Sequence, residues 1–464
     1  MNYAVSELAI DPMLVRKYDV SGPRYTSYPT ADRFVEAFGA QELARWLGKR
    51  DIGGVGKPLS VYVHLPFCES ICYYCACNKV VTRDHARSSQ YIKYLEREMG
   101  LLAPHLGERP RISQLHWGGG TPTFLSREEM RELIALLDSR FAREPDCECA
   151  IEVDPRHAPP GTLEFLASLG FNRVSLGVQD FDADVQKAVH RIQPEALVRR
   201  VAAEARACAF RSVNFDLIYG LPRQTLDSFG RTLERVIDLA PERIALYSYA
   251  HLPTVFKPQR RIAIAELPAG DSKLEILTLA IGRLTAAGYV YIGMDHFARP
   301  DDDLAVAQRQ GRLQRNFQGY STRPESDLVG LGVSAIGRIG PTYYQNQKRL
   351  DDYQGCLDAG RLPVARGIEL TPDDLVRRAV IQALACHSRV SMESIELAHL
   401  VDFRGYFAAE MKTLARLQEE GLVDVSDEWI SVTPRGRLLT RIVCMVFDRY
   451  LREAQARASY SRVI

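Results

Sequence analysis

Between residues 59 and 250 the chain alternates short apolar runs with longer amphipathic stretches. The apolar runs have the length of strands, and the amphipathic stretches repeat their apolar positions with the period of a helix. The pattern predicts strands at residues 59–65, 111–117, 149–154, 173–178, 212–220 and 243–250. It predicts helices between them near residues 88–103, 126–142, 160–169, 193–210 and 225–239.

The regular alternation of strand and helix indicates an α/β fold with a parallel sheet and right-handed crossovers. We predict an incomplete (β/α)6 barrel, because a complete eight-fold barrel requires more chain. A doubly wound sheet is the alternative. Ser126 and Glu129 predict a capping box at the start of one helix, and Gly170 predicts the end of another.

Four domains follow from changes in the pattern. Residues 1–55 form a predicted N-terminal arm, with an extended segment SGPRYTSYPTA at 21–31, a short helical pattern at 41–47 and a glycine-rich break GGVG at 53–56. Residues 56–300 form the barrel, and 301–365 form a connecting segment that covers it. Residues 366–464 form a mostly helical C-terminal domain that resembles a winged-helix module; its simpler interpretation is a packing domain.

Composition narrows the class of partner. The chain has 464 residues, of which 46% are hydrophobic and 25% charged, as expected for a globular protein with a sizeable core. Its 59 Lys and Arg residues balance 58 Asp and Glu residues, which argues against a nucleic-acid partner. No apolar run is long enough to cross a bilayer, and the pattern of the N-terminal residues predicts no signal peptide. We therefore expect a cytoplasmic location and no membrane partner; a monomer is a working expectation.

The cysteines point to metal chemistry. Cys68, Cys72 and Cys75 follow the spacing C-x3-C-x2-C, and Cys77 comes two residues later. Three thiolates on one loop can hold three irons of a 4Fe–4S cluster, which leaves the fourth iron open to a substrate. A structural zinc site usually has two separated pairs of ligands, and a long chain without a secretion signal is not expected to use disulfides. An iron–sulfur cluster is therefore favoured over zinc or a disulfide.

Polar residues gather where the predicted strands end. A GGGT turn at 118–121 follows the second strand, Glu152 lies in the third, and the later strands carry or precede Gln179, Asp216 and Ala250. The carboxyl ends of parallel strands form active sites in such folds. Glu152 is a candidate acceptor for ribose hydroxyls, or else an ion-pair partner for a neighbour. Arg191 is a candidate clamp for a carboxylate, or else a surface arginine.

The cysteine spacing, Tyr74 before the third cysteine and the GGGT turn together resemble the radical S-adenosylmethionine superfamily. The resemblance implies one 4Fe–4S cluster held by Cys68, Cys72 and Cys75. It also implies that the open iron binds the amino and carboxylate groups of S-adenosylmethionine, and that an electron cleaves its C–S bond to a 5′-deoxyadenosyl radical. Tyr74 matches the aromatic residue that the superfamily places beside adenine.

A narrower resemblance covers residues 21 to about 337. The segments SGPRYTSYPTA, HLPFCESICYYCACNKVVTR, LHWGGGTPTFL, IEVDPR, RVSLGVQDF, VNFDLIYGLPRQT, YSYAHLPT, IGMDHFA, RNFQGYST and GLGVSAIG are similar to the oxygen-independent coproporphyrinogen III oxidase family. This implies decarboxylation of two propionates of coproporphyrinogen III to vinyl groups, giving protoporphyrinogen IX in haem biosynthesis. It also implies a flavodoxin-like or ferredoxin-like electron donor.

Site residues carry over from this resemblance by position. Positions that hold a first S-adenosylmethionine correspond to Tyr62, Gly119, Glu152 and Ile336. Positions around a second S-adenosylmethionine correspond to Tyr74, Gly120, Thr121, Gln179, Arg191, Asp216 and Ala250. Cys77 matches a fourth cysteine that does not bind the cluster but is associated with activity, so Cys77 and Tyr62 are the expected catalytic residues. Two positions depart from the family: Tyr74 stands where Phe is expected, and Gln314 where His is expected.

Two other functions are weaker hypotheses. A haem-binding chaperone of the same superfamily would keep the three cysteines but, by resemblance, lack the fourth cysteine and the segment at 21–31. A winged-helix regulator with a redox-sensing cluster is disfavoured by the balanced charge.

Overall fold

The computed structural model describes residues 8–50, 58–323 and 326–453. The described chain divides into two compact units. The sheet unit comprises residues 34–50, 58–269 and 326–369, and the C-terminal unit comprises 8–33, 270–323 and 370–453. Each unit is built from separate segments of the chain, whereas each of the four predicted domains is one continuous segment. The two divisions therefore cannot be matched range by range, and the predicted domain boundaries stay predictions. The predicted GGVG break lies outside the described residues.

The strands are named in chain order. They are β1 (Leu59–Leu65), β2 (Phe67–Cys68), β3 (Val80–Val81), β4 (Arg111–Gly119), β5 (Ala142–Val153), β6 (Arg173–Gln179), β7 (Ser212–Tyr219), β8 (Arg243–Ser248), β9 (Val290–Gly293), β10 (His296–Ala298), β11 (Gln314–Asn316), β12 (Gly319–Ser321), β13 (Asp327–Leu331), β14 (Ile336–Ile339), β15 (Thr342–Asn346), β16 (Val364–Glu369), β17 (Arg389–Ser391), β18 (Val423–Val425) and β19 (Trp429–Val432).

The helices are named in the same way. They are α1 (Pro12–Tyr18), α2 (Ala40–Leu47), α3 (Ala86–Leu106), α4 (Arg127–Arg140), α5 (Thr162–Ser168), α6 (Ala183–Ala188), α7 (Glu195–Ala207), α8 (Leu226–Leu239), α9 (Gly270–Ala286), α10 (Asp303–Arg309), α11 (Leu350–Asp358), α12 (Pro372–His387), α13 (Met392–His399), α14 (Phe403–Tyr406), α15 (Ala408–Glu419), α16 (Thr440–Val446) and α17 (Arg449–Glu453). Short 3-10 helices lie at Ala31–Arg33, Pro122–Phe124, Pro155–His157, Lys257–Arg261, Ile264–Glu266 and Arg437–Leu439.

The six predicted strands of the barrel all form, and they lie side by side in chain order. They are β1, β4, β5, β6, β7 and β8, and each pairs with the next in parallel. The predicted α/β class with a parallel sheet is therefore confirmed. The choice between the incomplete (β/α)6 barrel and the doubly wound alternative stays a prediction. On its other side β1 pairs in parallel with β13, and β14, β15 and β16 continue the sheet in antiparallel fashion.

The local signals at the helix ends are confirmed. The Ser126 hydroxyl accepts a hydrogen bond from the Glu129 amide, and the Glu129 carboxylate accepts one from the Ser126 amide. Gly170 adopts a φ of +92° just after α5, a conformation that ends a helix without steric cost. One strand differs from its prediction: β5 begins at Ala142 rather than at residue 149. Its first half is half-buried and charged, so a search for apolar runs finds only its buried second half.

The C-terminal unit contains the hairpins β9–β10 and β11–β12 and a three-stranded sheet in the order β17, β19, β18. Helices α12 to α17 belong to the same unit, and the rings of Phe403 in α14, Phe407 after α14 and Phe447 after α16 pack against one another. The arm at residues 21–31 belongs to this unit. Tyr25 donates a hydrogen bond to Asp448, and the Arg441 guanidinium donates to the carbonyl of Pro23. Among the described helices, none is long and apolar enough to cross a membrane.

A buried carboxyl group joins several elements of the sheet unit. Glu98 of α3 is 1% exposed, and its carboxyl group accepts hydrogen bonds from the Gly332 amide, the Tyr353 hydroxyl and the Asn346 side chain at 2.6–2.7 Å. These partners lie after β13, in α11 and in β15. Burial raises the pKa of Glu98 to about 7, although the three hydrogen bonds act in the opposite direction.

The raised pKa of Glu98 predicts a dependence of stability on pH. The folded state keeps this proton above the pH at which the unfolded chain, with its ordinary pKa of 4.5, releases it. The stability associated with protonation is therefore present below pH 4.5 and is lost as the pH rises through 7. We expect the unfolding free energy of the wild type to fall by up to about 3 kcal/mol over this range relative to Glu98→Gln.

Chemical denaturation of both proteins at several pH values between 4.5 and 8 measures this difference. Glu96→Gln is the matched control, because Glu96 lies in the same helix and is exposed. We expect the Glu96→Gln curve to run parallel to that of the wild type. A Glu98→Gln curve that also ran parallel to the wild type would contradict the prediction.

Candidate active site

A closed loop carries the four cysteines. After β1 the chain forms β2, and Phe67 and Cys68 pair in parallel with Val80 and Val81 of β3. The amide of Thr82 also donates to the carbonyl of Cys68 at 2.9 Å. The ends of the loop at residues 68–80 are thus tied together, so the cysteines project from a constrained turn.

Contacts from distant segments hold the middle of this loop. The Tyr73 amide donates to the Val189 carbonyl at 2.9 Å, and the Tyr73 ring stacks on His190 with centroids 5.0 Å apart. The side-chain amide of Gln259 donates to the carbonyls of Tyr74 and Ala250, both at 3.2 Å. The position of the loop is therefore set by residues that follow α6 and β8.

One cavity of about 340 Å³ brings most of the predicted site residues together. Its lining includes Cys68, Cys72, Tyr74, Cys75, Cys77, Gly119, Gly120, Thr121, Glu152, Gln179, Arg191 and Asp216. Three predicted residues do not line it. Tyr62 lies within β1, Ala250 follows β8, and Ile336 begins β14. The roles of all these residues as ligands of a cofactor stay predictions.

Two arginines converge on the sulfur of Cys72. Arg156 Nη2 lies 3.4 Å and Arg191 Nη1 lies 3.5 Å from Cys72 Sγ. Asp154 receives hydrogen bonds from both guanidiniums, at 2.7 Å from Arg156 and 2.9 Å from Arg191. Although burial raises the pKa of Asp154, Arg191 and Arg156 bring it down to about 2. Arg191 is 6% exposed, so the alternative of a surface arginine is wrong.

The thiols on the loop differ in their electrostatic surroundings. The interaction between the neighbouring Cys75 and Cys77 thiols lowers the pKa of Cys75 to about 6 and raises that of Cys77. The Lys79 ammonium donates to the backbone carbonyls of Cys75 and Cys77 at 3.2 and 3.3 Å and adds positive charge there. Burial raises the pKa of the Cys68 thiol to about 12. A cation beside Cys75 suits a thiolate ligand, which is negatively charged.

The glycine turn after β4 fits closely against the base of the cysteine loop. The Gly120 amide donates to the Leu65 carbonyl and the Thr121 amide to the Phe67 carbonyl, both at 2.8 Å. A Cβ atom added at Gly120 would lie 2.4 Å from the Phe67 oxygen. Gly119 has a φ of +118°, in the region that favours glycine. The segment at 118–121 therefore needs glycine for close packing, and it also borders the cavity.

Glu152 of β5 lies beside this turn. Its carboxylate accepts hydrogen bonds from the Gly119 amide at 3.1 Å and from His116 Nε2 at 3.3 Å. Burial raises the pKa of Glu152, but the hydrogen bond and the charge of His116 lower it by more. The pKa of Glu152 is therefore below its ordinary value. Glu152 thus has a neighbour, His116, of the kind that the alternative role as an ion-pair partner requires. It also faces the cavity as an ionised hydrogen-bond acceptor.

Asp216 is the second acid of the cavity. It accepts hydrogen bonds from the Ser175 hydroxyl at 2.8 Å and the Asn214 side chain at 2.9 Å. Burial raises its pKa to about 7, and the charge of Glu152 acts in the same direction. The cavity therefore holds an ionised carboxylate and one that titrates near neutral pH.

Tyr62 contacts histidines rather than the cavity. Its hydroxyl lies 3.0 Å from His64 Nδ1, and its ring stacks on His116 with centroids 5.7 Å apart. Tyr62 therefore adjoins Glu152 through His116.

Sequence reasoning missed several residues that build the site. Asp154, Arg156, His116 and Lys79 were not singled out, although IEVDPR and LHWGGG were quoted for the resemblance. Asp154 and Arg156 directly follow β5, so the rule that strand ends form the site could have found them. Nothing in the sequence indicated that both arginines would reach the same cysteine.

Comparisons with known proteins cover nearly the whole chain. The profile of the Radical SAM superfamily matches residues 62–236, and that of the HemN C-terminal domain matches residues 370–439. An oxygen-independent coproporphyrinogen III oxidase from Pseudomonas aeruginosa is 52% identical over 98% of both chains. The relative of that name from Escherichia coli is 49% identical over 99% of this chain and 100% of its own. This chain belongs to the oxygen-independent coproporphyrinogen III oxidase family.

A solved structure supports the same conclusion. Coproporphyrinogen III oxidase (HemN) from Escherichia coli, described as a radical SAM enzyme, matches with a TM-score of 0.91 at 48% identity. The match covers 96% of this chain and all of that one. Radical SAM enzymes use a 4Fe–4S cluster and S-adenosylmethionine, so the predicted class of enzyme and its cofactors are confirmed at the level of the family.

The residues of the site fit such a cluster. Cys68, Cys72 and Cys75 line one cavity, and the cationic side chains of Arg156 and Arg191 lie next to a sulfur. A single zinc ion would bring its sulfur ligands within about 4 Å of one another, because Zn–S bonds are about 2.3 Å. Among the described residues, no three His, Cys, Asp or Glu side chains are grouped to hold a single ion. In a 4Fe–4S cluster each cysteine binds a different iron, so its sulfur ligands do not have to meet at one ion.

Proposed function

We propose that this chain oxidatively decarboxylates two propionate side chains of coproporphyrinogen III to vinyl groups and so forms protoporphyrinogen IX in haem biosynthesis. One observation carries the proposal: the three spaced cysteines, the glycine turn and Glu152 border a single cavity in a chain of this family. For each propionate, a hydrogen atom leaves the β-carbon, carbon dioxide leaves the carboxyl end, and one electron passes to an acceptor.

The residues of the chain have separate tasks in this proposal. Cys68, Cys72 and Cys75 hold the cluster, which with S-adenosylmethionine supplies the 5′-deoxyadenosyl radical. Arg156 and Arg191 direct N–H groups at Cys72 Sγ, and hydrogen bonds to a ligating sulfur influence the reduction potential of a cluster. Asp154 fixes both guanidiniums and balances part of their charge. Glu152, ionised and facing the cavity, accepts hydrogen bonds from S-adenosylmethionine.

The finer assignments belong to the same proposal. A second S-adenosylmethionine is placed near Tyr74, Gly120, Thr121, Gln179, Arg191, Asp216 and Ala250, most of which line the cavity. Tyr62, Gly119, Glu152 and Ile336 hold the first, and Cys77 and Tyr62 act as catalytic residues. The chain works as a cytoplasmic monomer, without nucleic acid or membrane, and receives electrons from a small flavodoxin-like or ferredoxin-like protein.

An anaerobic assay tests the proposal. Reconstituted protein, reduced with dithionite, is mixed with S-adenosylmethionine in the presence or absence of coproporphyrinogen III, and the products are measured by mass. We expect 5′-deoxyadenosine together with loss of two carboxyl groups from the tetrapyrrole. Deoxyadenosine without decarboxylation would reject this substrate. Absence of deoxyadenosine, with the cluster verified by iron content, would reject the enzyme and favour the haem-binding alternative.

A further inference from the structure

One residue of the cysteine loop contacts exposed groups instead of the cavity. Tyr73 lies between Cys72 and Tyr74, which both line the cavity, whereas Tyr73 does not. Its ring stacks on the exposed His190 with centroids 5.0 Å apart. On the same ring, the guanidinium carbon of the exposed Arg261 stands 5.3 Å from the centre. Exposed residues of two other segments therefore meet the cysteine loop at Tyr73.

This contact lies one residue away from a candidate cluster ligand in both segments. Tyr73 directly follows Cys72, and its amide donates to the Val189 carbonyl at 2.9 Å. The exposed His190 is followed by the buried Arg191, whose Nη1 atom lies 3.5 Å from Cys72 Sγ. A molecule that covered Tyr73 and His190 from outside would therefore stand close to a sulfur that we predict to bind the cluster.

Arg261 ends a short 3-10 helix that begins at Lys257 and carries three cations. Lys257 and Arg260 are both exposed, and three residues per turn place them on the same side of this helix. Arg260 donates to the Pro253 carbonyl at 3.0 Å, and Arg261 donates to the Tyr73 hydroxyl at 3.2 Å. Within the described ranges of the chain, none of the three cations pairs with a carboxylate.

The neighbouring carboxylates do not neutralise these cations. Asp184 of α6 pairs with Lys187 at 3.5 Å, and Glu266, which follows the 3-10 helix, pairs with Arg223 at 2.6 Å. Each of these pairs adds no net charge. The positive charge of the 3-10 helix therefore remains uncompensated, and it attracts a partner with a negative surface.

Exposed apolar side chains accompany the cations. Ile192, Val255 and Ile264 are 63%, 60% and 71% exposed, and they are the most exposed large apolar side chains of the described sheet unit. Val255 and Ile264 flank the 3-10 helix in the chain, and Ile192 directly follows Arg191. Single exposed apolar residues are common, but these three belong to the two segments that meet at Tyr73. Apolar groups beside charged ones are typical of a contact with another protein.

We propose that this exposed surface beside the cysteine loop docks a small acidic electron-transfer protein. We call it the donor surface, and it comprises Tyr73, His190, Lys257, Arg260 and Arg261. The inference rests on the proposed function, which requires one electron for each S-adenosylmethionine that is cleaved. One electron leaves the reduced donor and enters the cluster, and no covalent bond forms or breaks in this transfer. Complementary charge steers such an encounter, and electron-transfer complexes bury little surface.

A double charge reversal, Lys257→Glu with Arg260→Glu, tests the donor surface. Arg261 stays in place, because its contact with Tyr73 supports the cysteine loop. The probe is a flavodoxin of net negative charge, and calorimetric titration measures the Kd of its oxidised form for the cluster-loaded enzyme. We expect the Kd to rise at least about 10-fold in the double reversal, because attraction becomes repulsion. The wild-type Kd should also rise when the ionic strength increases from about 0.05 to about 0.5 M.

The rate of 5′-deoxyadenosine formation separates docking from the chemistry that follows it. In one assay NADPH and flavodoxin reductase keep the flavodoxin reduced, and in the other dithionite reduces the enzyme directly. We expect the flavodoxin concentration that gives half of the maximal rate to rise about 10-fold in the double reversal. The rate with dithionite should remain that of the wild type, because a small reductant does not require the donor surface.

The matched control is a second double reversal in the same unit, Arg109→Glu with Arg140→Glu. Both residues are exposed, and Arg109 donates to a backbone carbonyl as Arg260 does. They precede β4 and β5, so they lie at the amino edge of the parallel sheet, opposite the edge that carries the cysteine loop. The Kd and the half-saturating flavodoxin concentration should stay within about twofold of the wild type.

The outcomes separate the donor surface from the proposed function. If no 5′-deoxyadenosine forms even with dithionite, the proposed function fails and the donor surface fails with it. If the wild type is active with dithionite, the donor surface alone is rejected when the acidic flavodoxin does not bind. It is also rejected when the double reversal keeps the wild-type Kd and half-saturating concentration.

Two further results are decisive. A wild type that sediments as a dimer, with a double reversal that sediments as a monomer, would assign this surface to a contact between two copies of the chain and overturn the proposal. Should the double reversal lose its activity with dithionite, Lys257→Gln with Arg260→Gln removes the charge without introducing repulsion. A Kd of that variant equal to the wild-type Kd would reject the donor surface.

Discussion

Replacement of Cys72 by alanine is expected to abolish cluster binding and the cleavage of S-adenosylmethionine. The substitution removes one of three thiolate ligands, and it leaves Arg156 and Arg191 facing a methyl group. Loss of a residue that hydrogen-bonds to a metal ligand lowers metal affinity or activity about 10- to 100-fold, and loss of a ligand itself lowers it more. Iron content and the visible absorption of reconstituted protein measure the cluster, and 5′-deoxyadenosine formation measures its reactivity.

The control variants for this experiment come from the same chain. Cys208 directly follows α7, is only half-buried and does not line the cavity, so Cys208→Ala should retain full iron content. Cys77→Ala should also retain iron, because Cys77 is predicted not to bind the cluster. A cluster that persisted in Cys72→Ala would contradict the predicted set of ligands, and loss of iron in Cys77→Ala would add a fourth cysteine to it.

A single methyl group at Gly120 is expected to disrupt the site as severely. The added Cβ would lie 2.4 Å from the Phe67 oxygen and 2.8 Å from the backbone carbon atoms of Phe67 and Pro66. Backbone atoms cannot rotate away, so the turn and the start of the cysteine loop must separate, which strains the hydrogen bond from Gly120 to Leu65. We expect a loss of about 2 kcal/mol in unfolding free energy and about a 100-fold slower cleavage of S-adenosylmethionine.

Denaturant unfolding and 5′-deoxyadenosine formation measure the two effects of Gly120→Ala. Gly100→Ala is the control, because Gly100 lies inside α3 and its added Cβ would have no neighbour within 4 Å. Alanine in that helix should stabilise the protein by about 0.5–1 kcal/mol without a change in activity. Equal stability of Gly120→Ala and the wild type would show that the contact between turn and loop is looser than described.

The identity of the site could be predicted largely from local sequence. The spacing of Cys68, Cys72 and Cys75 confines three thiols to one turn, and a turn of that length suits a cluster regardless of the rest of the chain. Alternating apolar runs placed the strands β1, β4 and β6 to β8 within a few residues. The carboxyl ends of parallel strands meet at one edge, so Glu152, Gln179 and Asp216 could be expected near the cysteines.

The side chains that contact each charged or thiol group of the site could not be predicted in this way. Arg156 and Arg191 reach Cys72 from positions 84 and 119 residues away, and Gln259 supports Tyr74 from 185 residues away. Such contacts depend on how several strand–helix–strand connections pack together. This packing produces no repeating pattern of apolar residues in the sequence. The discontinuous units have the same origin, because residues 270–323 group with the C-terminal helices rather than with the strands that precede them.

The sequence alone therefore determined the parallel α/β class and predicted Cys68, Cys72 and Cys75 as the ligands of the cluster, because both depend on short-range spacing and on the period of apolar residues. Only the tertiary structure decided which buried charges are compensated. Arg191 and Arg437 are equally plausible surface residues in the sequence, yet one is bound to Asp154 and the other is buried without a described carboxylate partner. Burial and partnership are properties of the assembled fold, so they cannot be predicted from the neighbours of a residue in the sequence.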